Sequence, residues 1–264
     1  NHGIQVTGGY GHLSGADVYS NRVCGLYIQS GTFGCLGGSI RDNNKATNAG
    51  AGVQISSAGH FNMCGGSIYG NGGSQGRGIF NQGVSGMAGG KISNQYDALY
   101  NDGTFNVTHG DFNANLYRSR YADVASAYAG NDWGALFHWL MYGIYEGRDA
   151  GSSNNTYING TFRAVWNNGT FTSITGDFNA KSSYNVYQNG NYNVAGDAKG
   201  WTNGIYLTQN HYVNIIGSLT CADGSIPIRV QPGYNALGHL VATCSYSMNY
   251  QTAAAVNKKF VLSN

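Results

Sequence analysis

Charge is what this sequence has least of. Only 10% of its 264 residues are Asp, Glu, Lys or Arg, and Glu146 is the single glutamate of the whole chain. Soluble domains ordinarily carry about 25% charged residues, and helices draw heavily on Ala, Leu, Glu and Lys. The scarcity argues against a helical bundle, a coiled coil or an α/β nucleotide enzyme. Lys and Arg are scattered and the net charge is only +2, which argues against a nucleic-acid or acidic-membrane partner. No apolar run reaches the 18 residues of a spanning helix. Five cysteines (Cys24, Cys35, Cys64, Cys221, Cys244) form no CxxC, so a zinc site is not expected; at most two disulfides can form, and Cys221 with Cys244 is the plausible pair. The seven histidines, among them His12, His60, His109, His138, His211 and His239, show no HxH or HxxxH spacing, and neither GxSxG nor a P-loop occurs. No signal peptide is visible, and a start at Asn1 reads as a piece of a longer chain.

What is abundant is glycine, with 42 residues, and asparagine, with 31. With 41% hydrophobic and 13% aromatic residues the chain can still build a core, so disorder is not expected. The Tyr, Asn, Gly and Thr content suits a secreted, extracellular or cell-surface protein. Glycines at Gly9, Gly38, Gly66, Gly90, Gly110, Gly176, Gly196 and Gly217 are separated by 29, 28, 24, 20, 66, 20 and 21 residues. Around them GTFGCLGGSI (31–40) matches GHFNMCGGSI (59–68), and GTFNVTHGDFNA (103–114) matches GTFTSITGDFNA (169–180) without a gap. A period of this size marks a stacked-repeat architecture.

Within each repeat, apolar residues alternate with polar ones, as a strand with one buried face requires. One row runs Phe33, Phe61, Ser85, Phe105, Phe171, Tyr192, Val213, and a second Cys35, Met63, Met87, Val107, Ser173, Val194, Ile215. After the glycine comes Ile40, Ile68, Ile92, Phe112, Phe178, Ala198, Leu219. Asn62, Asn106, Thr172, Asn193 and Asn214 lie between them and are expected to face solvent. The expected fold is all-β, a right-handed parallel β-helix (solenoid) forming one domain over 1–264. The long step of 66 residues implies an insertion, placed at 116–160 and read as two helices from the apolar spacing of Tyr117, Tyr121, Val124 and of Leu136, Phe137, Leu140, Ile144. Asn131 or Asp132 would cap the second helix and Gly147 would stop it. Residues 224–264 lose the glycine repeat and are expected to form a C-terminal β cap.

The insertion resembles a short helical module of secreted bacterial proteins with the pattern Y-x-D-V…H-Y/W-x-x-x-G-x-x-E-G-R. Here that pattern is Tyr121, Asp123, Val124, His138, Trp139, Gly143, Glu146, Gly147 and Arg148. The module implies no settled chemistry.

Two further rows carry the functional reading. The residue after the repeat glycine is Ser39, Ser67, Lys91, Asp111, Asp177, Asp197, Ser218. Asp111, Asp177 and Asp197 on successive strands would stand about 5 Å apart, which makes them calcium candidates or an acid–base pair; alternatively each Asp caps backbone amides at a turn. No Gly-His-Gly of the pectin-hydrolase type occurs. The second row is aromatic. GIFNQG (78–83), ALYNDG (98–103), AVWNNG (164–169) and NVYQNG (185–190) share one form, and Tyr206 follows in GIYLTQN. Alternation turns Ile79, Leu99, Val165, Val186 and Ile205 inward, and Phe80, Tyr100, Trp166, Tyr187 and Tyr206 outward. Such a strip is either a platform for sugar rings or a satellite core covered by loops.

Repeats, insertion and aromatic content together resemble the right-handed β-helical carbohydrate-binding modules found beside xylan-degrading domains of gut bacteria. The resemblance implies a non-catalytic module tethered to a catalytic domain, binding xylan or a related β-1,4 plant cell-wall glycan. Tyr100, Trp166, Tyr187, Trp201 and Tyr206 are the candidate binding residues, with a groove between Trp166 and the insertion. No catalytic residue and no cofactor beyond the calcium option is expected. A β-helix glycoside hydrolase or polysaccharide lyase using the Asp row, and a surface adhesin repeat, are the alternatives.

Overall fold

A computed structural model describes residues 1–45, 50–197, 203–231, 240–245 and 250–262, with the backbone alone for 250–253. Eight strands come first: β1 (Ile4–Tyr19), β2 (Leu26–Arg41), β3 (Ala51–Met63), β4 (Ser67–Tyr69), β5 (Arg77–Asn81), β6 (Val84–Met87), β7 (Gly90–Asn101) and β8 (Thr104–Val107). The helices α1 (Ala114–Arg120), α2 (Ala122–Ala127) and α3 (Asp132–His138) follow, with a π-helical turn at Trp139–Gly143. The chain then returns to strands β9 (Thr156–Asn167), β10 (Thr170–Ser173), β11 (Asp177–Ala180), β12 (Val186–Gln188), β13 (Asn191–Gly196), β14 (Ile205–Leu207), β15 (Val213–Leu219), β16 (Ile226–Val230) and β17 (Ala242–Cys244). Helix α4 (Tyr250–Asn257) and β18 (Phe260–Leu262) end the described chain.

Every pairing between these strands is parallel, and the strands belong to one hydrogen-bonded network. The expected right-handed parallel β-helix is nevertheless corrected. Five parallel strands, β2, β3, β5, β7 and β4, close a barrel, and the other strands lie outside it. The closure arises because the long strands change partner part-way. Strand β2 pairs with β3 over Leu26–Cys35 and with β4 over Ser39–Arg41, while β7 pairs with β4 at its start and β5 at its end. Glycine makes the bends. Gly38 and Gly66 have φ of 81° and 78°, where a Cβ is disfavoured, and a Cβ on Gly66 would meet the Gly38 carbonyl at 2.7 Å.

The core is built from in-register columns. Val53, Ile79, Leu99, Val165, Val186, Ile205 and Ile228 pair one to the next and are fully buried. A second run joins Phe33, Phe61, Ser85, Phe105, Phe171, Tyr192 and Val213, also buried. Cys35 and Met63 are core residues. The third column departs from expectation. Ile92 pairs with Ile158 and Ile158 with Phe178, so Phe112 is not in the column; it packs against Tyr117 and Trp139 of the insertion instead. Ala198 lies outside the described residues.

The inserted stretch ends before Thr156, where β9 begins, rather than at 160, and it holds three short helices rather than two. The Asn131 side chain caps α3 by accepting from Gly134 N at 2.9 Å. Asn62 and Asn106 are buried rather than solvent-facing, because the insertion lies on them: their Nδ2 groups donate to Leu140 O (2.7 Å) and Tyr145 O (2.6 Å). Within 224–264, β16, β17 and β18 extend the existing pairings, and Val256 of α4 is buried against the core. Cys221 carries a free thiol, so the Cys221–Cys244 disulfide is not formed.

Candidate functional site

The aromatic residues come together. Phe80 pairs in register with Tyr100, Tyr100 with Trp166, Trp166 with Tyr187 and Tyr187 with Tyr206. All five are half-buried while their aliphatic neighbours on the inner face are fully buried. Successive ring centroids are 5.5, 5.1, 5.2 and 5.2 Å apart. Rings this close cannot lie side by side in one plane: Phe80 meets Tyr100 edge-on, Tyr100, Trp166 and Tyr187 are tilted on one another, and Tyr187 stacks on Tyr206. A ligand along the strip meets ring edges and part-faces rather than one continuous flat platform. Tyr184 stacks on Tyr206 at 4.5 Å and widens the strip. Trp201 lies outside the described residues.

Sequence reasoning missed the charged row beside it. Arg77, Asp97 and Arg163 pair in register, each three residues before Phe80, Tyr100 and Trp166. Arg163 grips Asp97 with two bonds, Nε to Oδ1 at 2.8 Å and Nη2 to Oδ2 at 3.1 Å. Its guanidinium carbon lies 3.8 Å from the Trp166 ring centroid, and that of Arg77 lies 3.9 Å from the centroid of Tyr100. Cation–π contact of this kind fixes the rings and adds donors to the strip. Burial pushes the Asp97 carboxyl above its usual range, against the hydrogen bond from Arg163. The signal was present in R-G-I-F, D-A-L-Y and R-A-V-W: a charge three residues before the ring.

A polar rim completes the strip. Asn168 Oδ1 accepts from Trp166 Nε1 at 2.9 Å, and Asn168 Nδ2 donates to the Tyr100 hydroxyl at 3.2 Å and to Asp102 Oδ1 at 2.8 Å. Beneath it, the Asn or Gln that follows each of the first four rings turns inward, and each bonds to the next. Asn81 Nδ2 donates to Asn101 Oδ1 (2.7 Å), Asn101 to Asn167 (2.8 Å) and Asn167 to Gln188 Oε1 (3.0 Å). This buried amide ladder also satisfies turn carbonyls, including those of Gly103 and Gly190.

The expected acidic row does not assemble. Lys91 pairs with Tyr157, and Tyr157 with Asp177, because the insertion leaves the chain after Gly110 and a strand from its far side fills the place expected of Asp111. Asp111 takes a bond from Asn155 at 3.2 Å and Asp177 one from Asn179 at 2.6 Å. Asp197 bonds to His109 Nε2 at 3.3 Å. Among the described residues no three His, Cys, Asp or Glu side chains group to hold a metal ion.

His109 is the centre of a different cluster. Its Nδ1 lies 3.1 Å from Asp149 Oδ2, and Asp149 in turn receives Arg120 Nη1 at 2.7 Å. The ring thus ties the insertion, through Asp149, to Asp197 beyond β13. The hydrogen bond that the ring donates to Asp149, aided by the charge of both carboxylates, raises the His109 pKa against the effect of burial.

The motif residues of the insertion hold the insertion itself. Arg148 pairs with Asp123 and Glu146 at 2.6 Å each, and Trp139 Nε1 donates to the Arg148 carbonyl at 3.3 Å. Asp149 N donates to the Tyr121 hydroxyl at 2.7 Å, and His138 Nδ1 lies 3.0 Å from the Tyr117 hydroxyl. The insertion docks on the face of Asn62, Gly86 and Asn106, on the run formed by β3, β6 and β8, whereas Trp166 stands in the run of β7, β9 and β12. The expected groove between Trp166 and the insertion is therefore not formed. No family model, curated protein or solved structure matches this chain.

Proposed function

We propose that the protein is a non-catalytic carbohydrate-binding module for xylan or a related β-1,4 plant glycan, bound along the strip from Tyr100 to Tyr206. The observation that carries this reading is the register itself: rings at Tyr100, Trp166, Tyr187 and Tyr206 on four adjacent parallel strands. Neighbouring strands are about 4.8 Å apart, comparable to one pyranose step of a β-1,4 chain, so a glycan lying across the strands meets about one aromatic side chain per sugar. Ring edges and part-faces suit the C–H faces of a sugar, while Asn168, the tyrosine hydroxyls and the guanidinium of Arg77 supply hydrogen bonds at its rim. Binding rather than hydrolysis is favoured because Asp111, Asp177 and Asp197 each bond to a different side chain instead of forming one acidic row on successive strands. Retention on insoluble xylan, with a parallel assay for new reducing ends, tests this. Retention without release of reducing ends is expected; turnover, or passage of the protein unretained, contradicts it.

A further inference from the structure

A second surface, away from the strip, has the form of a binding site. The outer positions of β10, β13, β15 and β17 carry Thr172, Asn193, Asn214 and Thr243, paired in register. They form an outward amide–hydroxyl ladder: Asn193 Nδ2 to Thr172 Oγ1 at 3.3 Å, Asn214 Nδ2 to Asn193 Oδ1 at 3.0 Å, and Thr243 Oγ1 to Asn214 Oδ1 at 3.3 Å. Above it opens a cavity of about 410 Å³, whose lining includes Thr170, Asn191, Asn193, Tyr212, Asn214 and Thr243.

The molecule shows what this column of side chains binds. One strand earlier in the same column, Asn106 donates to the Tyr145 carbonyl, and two strands before that Asn62 donates to the carbonyl of Leu140. There the insertion covers the ladder and its oxygens meet the amides. At Asn193 and Asn214 the same outward amide faces the cavity instead. A primary amide has two N–H donors, and the ladder engages one from each of these residues. Among the described residues no Asp, Glu, Lys or Arg lines the cavity, and His211 is engaged by the Thr208 hydroxyl at 2.8 Å. Tyr212, 42% exposed, adds an aromatic wall.

We infer that this groove is a second binding site, for a neutral polyhydroxylated ligand of the oligosaccharide class. Amide and hydroxyl groups repeating at the strand spacing alternate donors with acceptors, as ring hydroxyls require. An anionic ligand would find no cation among the lining side chains, and an apolar one would leave the amides unpaired at a cost. The inference rests on reading the chain as a glycan binder, but on different residues.

Calorimetry with xylohexaose separates the two surfaces. The double substitution Asn193→Ala with Asn214→Ala, and separately Tyr212→Ala at the exposed wall, are compared with Trp166→Ala, each with an unchanged circular dichroism spectrum as the folding control. Both groove variants are expected to lose one class of site, or about tenfold in its affinity, while Trp166→Ala retains that class. If Trp166→Ala abolishes all binding and the groove variants bind as the parent does, the groove is overturned and the strip stands. If only the groove variants lose binding, the groove stands and the strip is overturned. A parent that does not bind overturns both.

Discussion

Asn101 is the residue on which the aromatic strip physically rests. It is fully buried, receives the Asn81 amide and donates to Asn167 and to the carbonyls of Gly103 and Thr170. Asn101→Ala would leave the side-chain oxygen of Asn167 without its donor in the interior, costing about 1–3 kcal/mol, would take the Asn101 amide from the carbonyls of Gly103 and Thr170, and would open a small void. A loss of about 2–4 kcal/mol in urea unfolding is expected, whereas Asn189→Ala at the exposed turn should stay within about 0.5 kcal/mol. Equal effects at the two positions would mean that the ladder contributes little. The sequence shows that Asn follows Phe80, Tyr100 and Trp166, and Gln follows Tyr187, each two residues before a glycine. It does not show that the amide turns inward, because a polar residue on a strand reads as solvent-facing until its partner is known.

At the scale of elements, the helical insertion is held by charge as well as by packing. His109 bridges Asp149 of the insertion and Asp197 of the strand scaffold. The folded state raises its pKa above the value of about 6.5 expected when unfolded, so the protonated ring favours the folded state. That contribution is complete below about pH 6.5 and is lost as pH rises through the folded value. Thermal unfolding from pH 5.5 to 8.5 should therefore show the parent's advantage over His109→Gln shrinking toward high pH. Parallel profiles would remove His109 from the account. The insertion also shows where the sequence misleads. GTFNVTHGDFNA and GTFTSITGDFNA align without a gap and share GTF and GDFNA, yet 177–180 form β11 while Asp111 and Phe112 lead into α1, with Asn113 accepting from Leu116 N as its cap. Two like segments part because the chain after Ala114 can form a helix and the chain after Ala180 returns to the scaffold. The acidic row failed for that reason, and Tyr157 stands in it instead.

On the scale of the whole molecule, the repeat period was enough to pair the strands in parallel and to place two of the three buried columns, because alternation and stacking are local rules repeated along the chain. Barrel closure was not legible, since it depends on where β2 and β7 change partner, and a glycine marks a bend without naming the strand that pairs beyond it. The strip was legible as a row of rings and illegible as a surface of tilted rings clamped by Arg77 and Arg163. Its use is the central claim. Calorimetric titration of soluble xylan into the parent, Trp166→Ala and Tyr187→Ala tests it most directly. Removing a contacting ring often costs more than 1 kcal/mol, so each substitution should weaken binding about tenfold with little change in the folded spectrum. Affinities equal to the parent's in both variants would contradict binding along the strip.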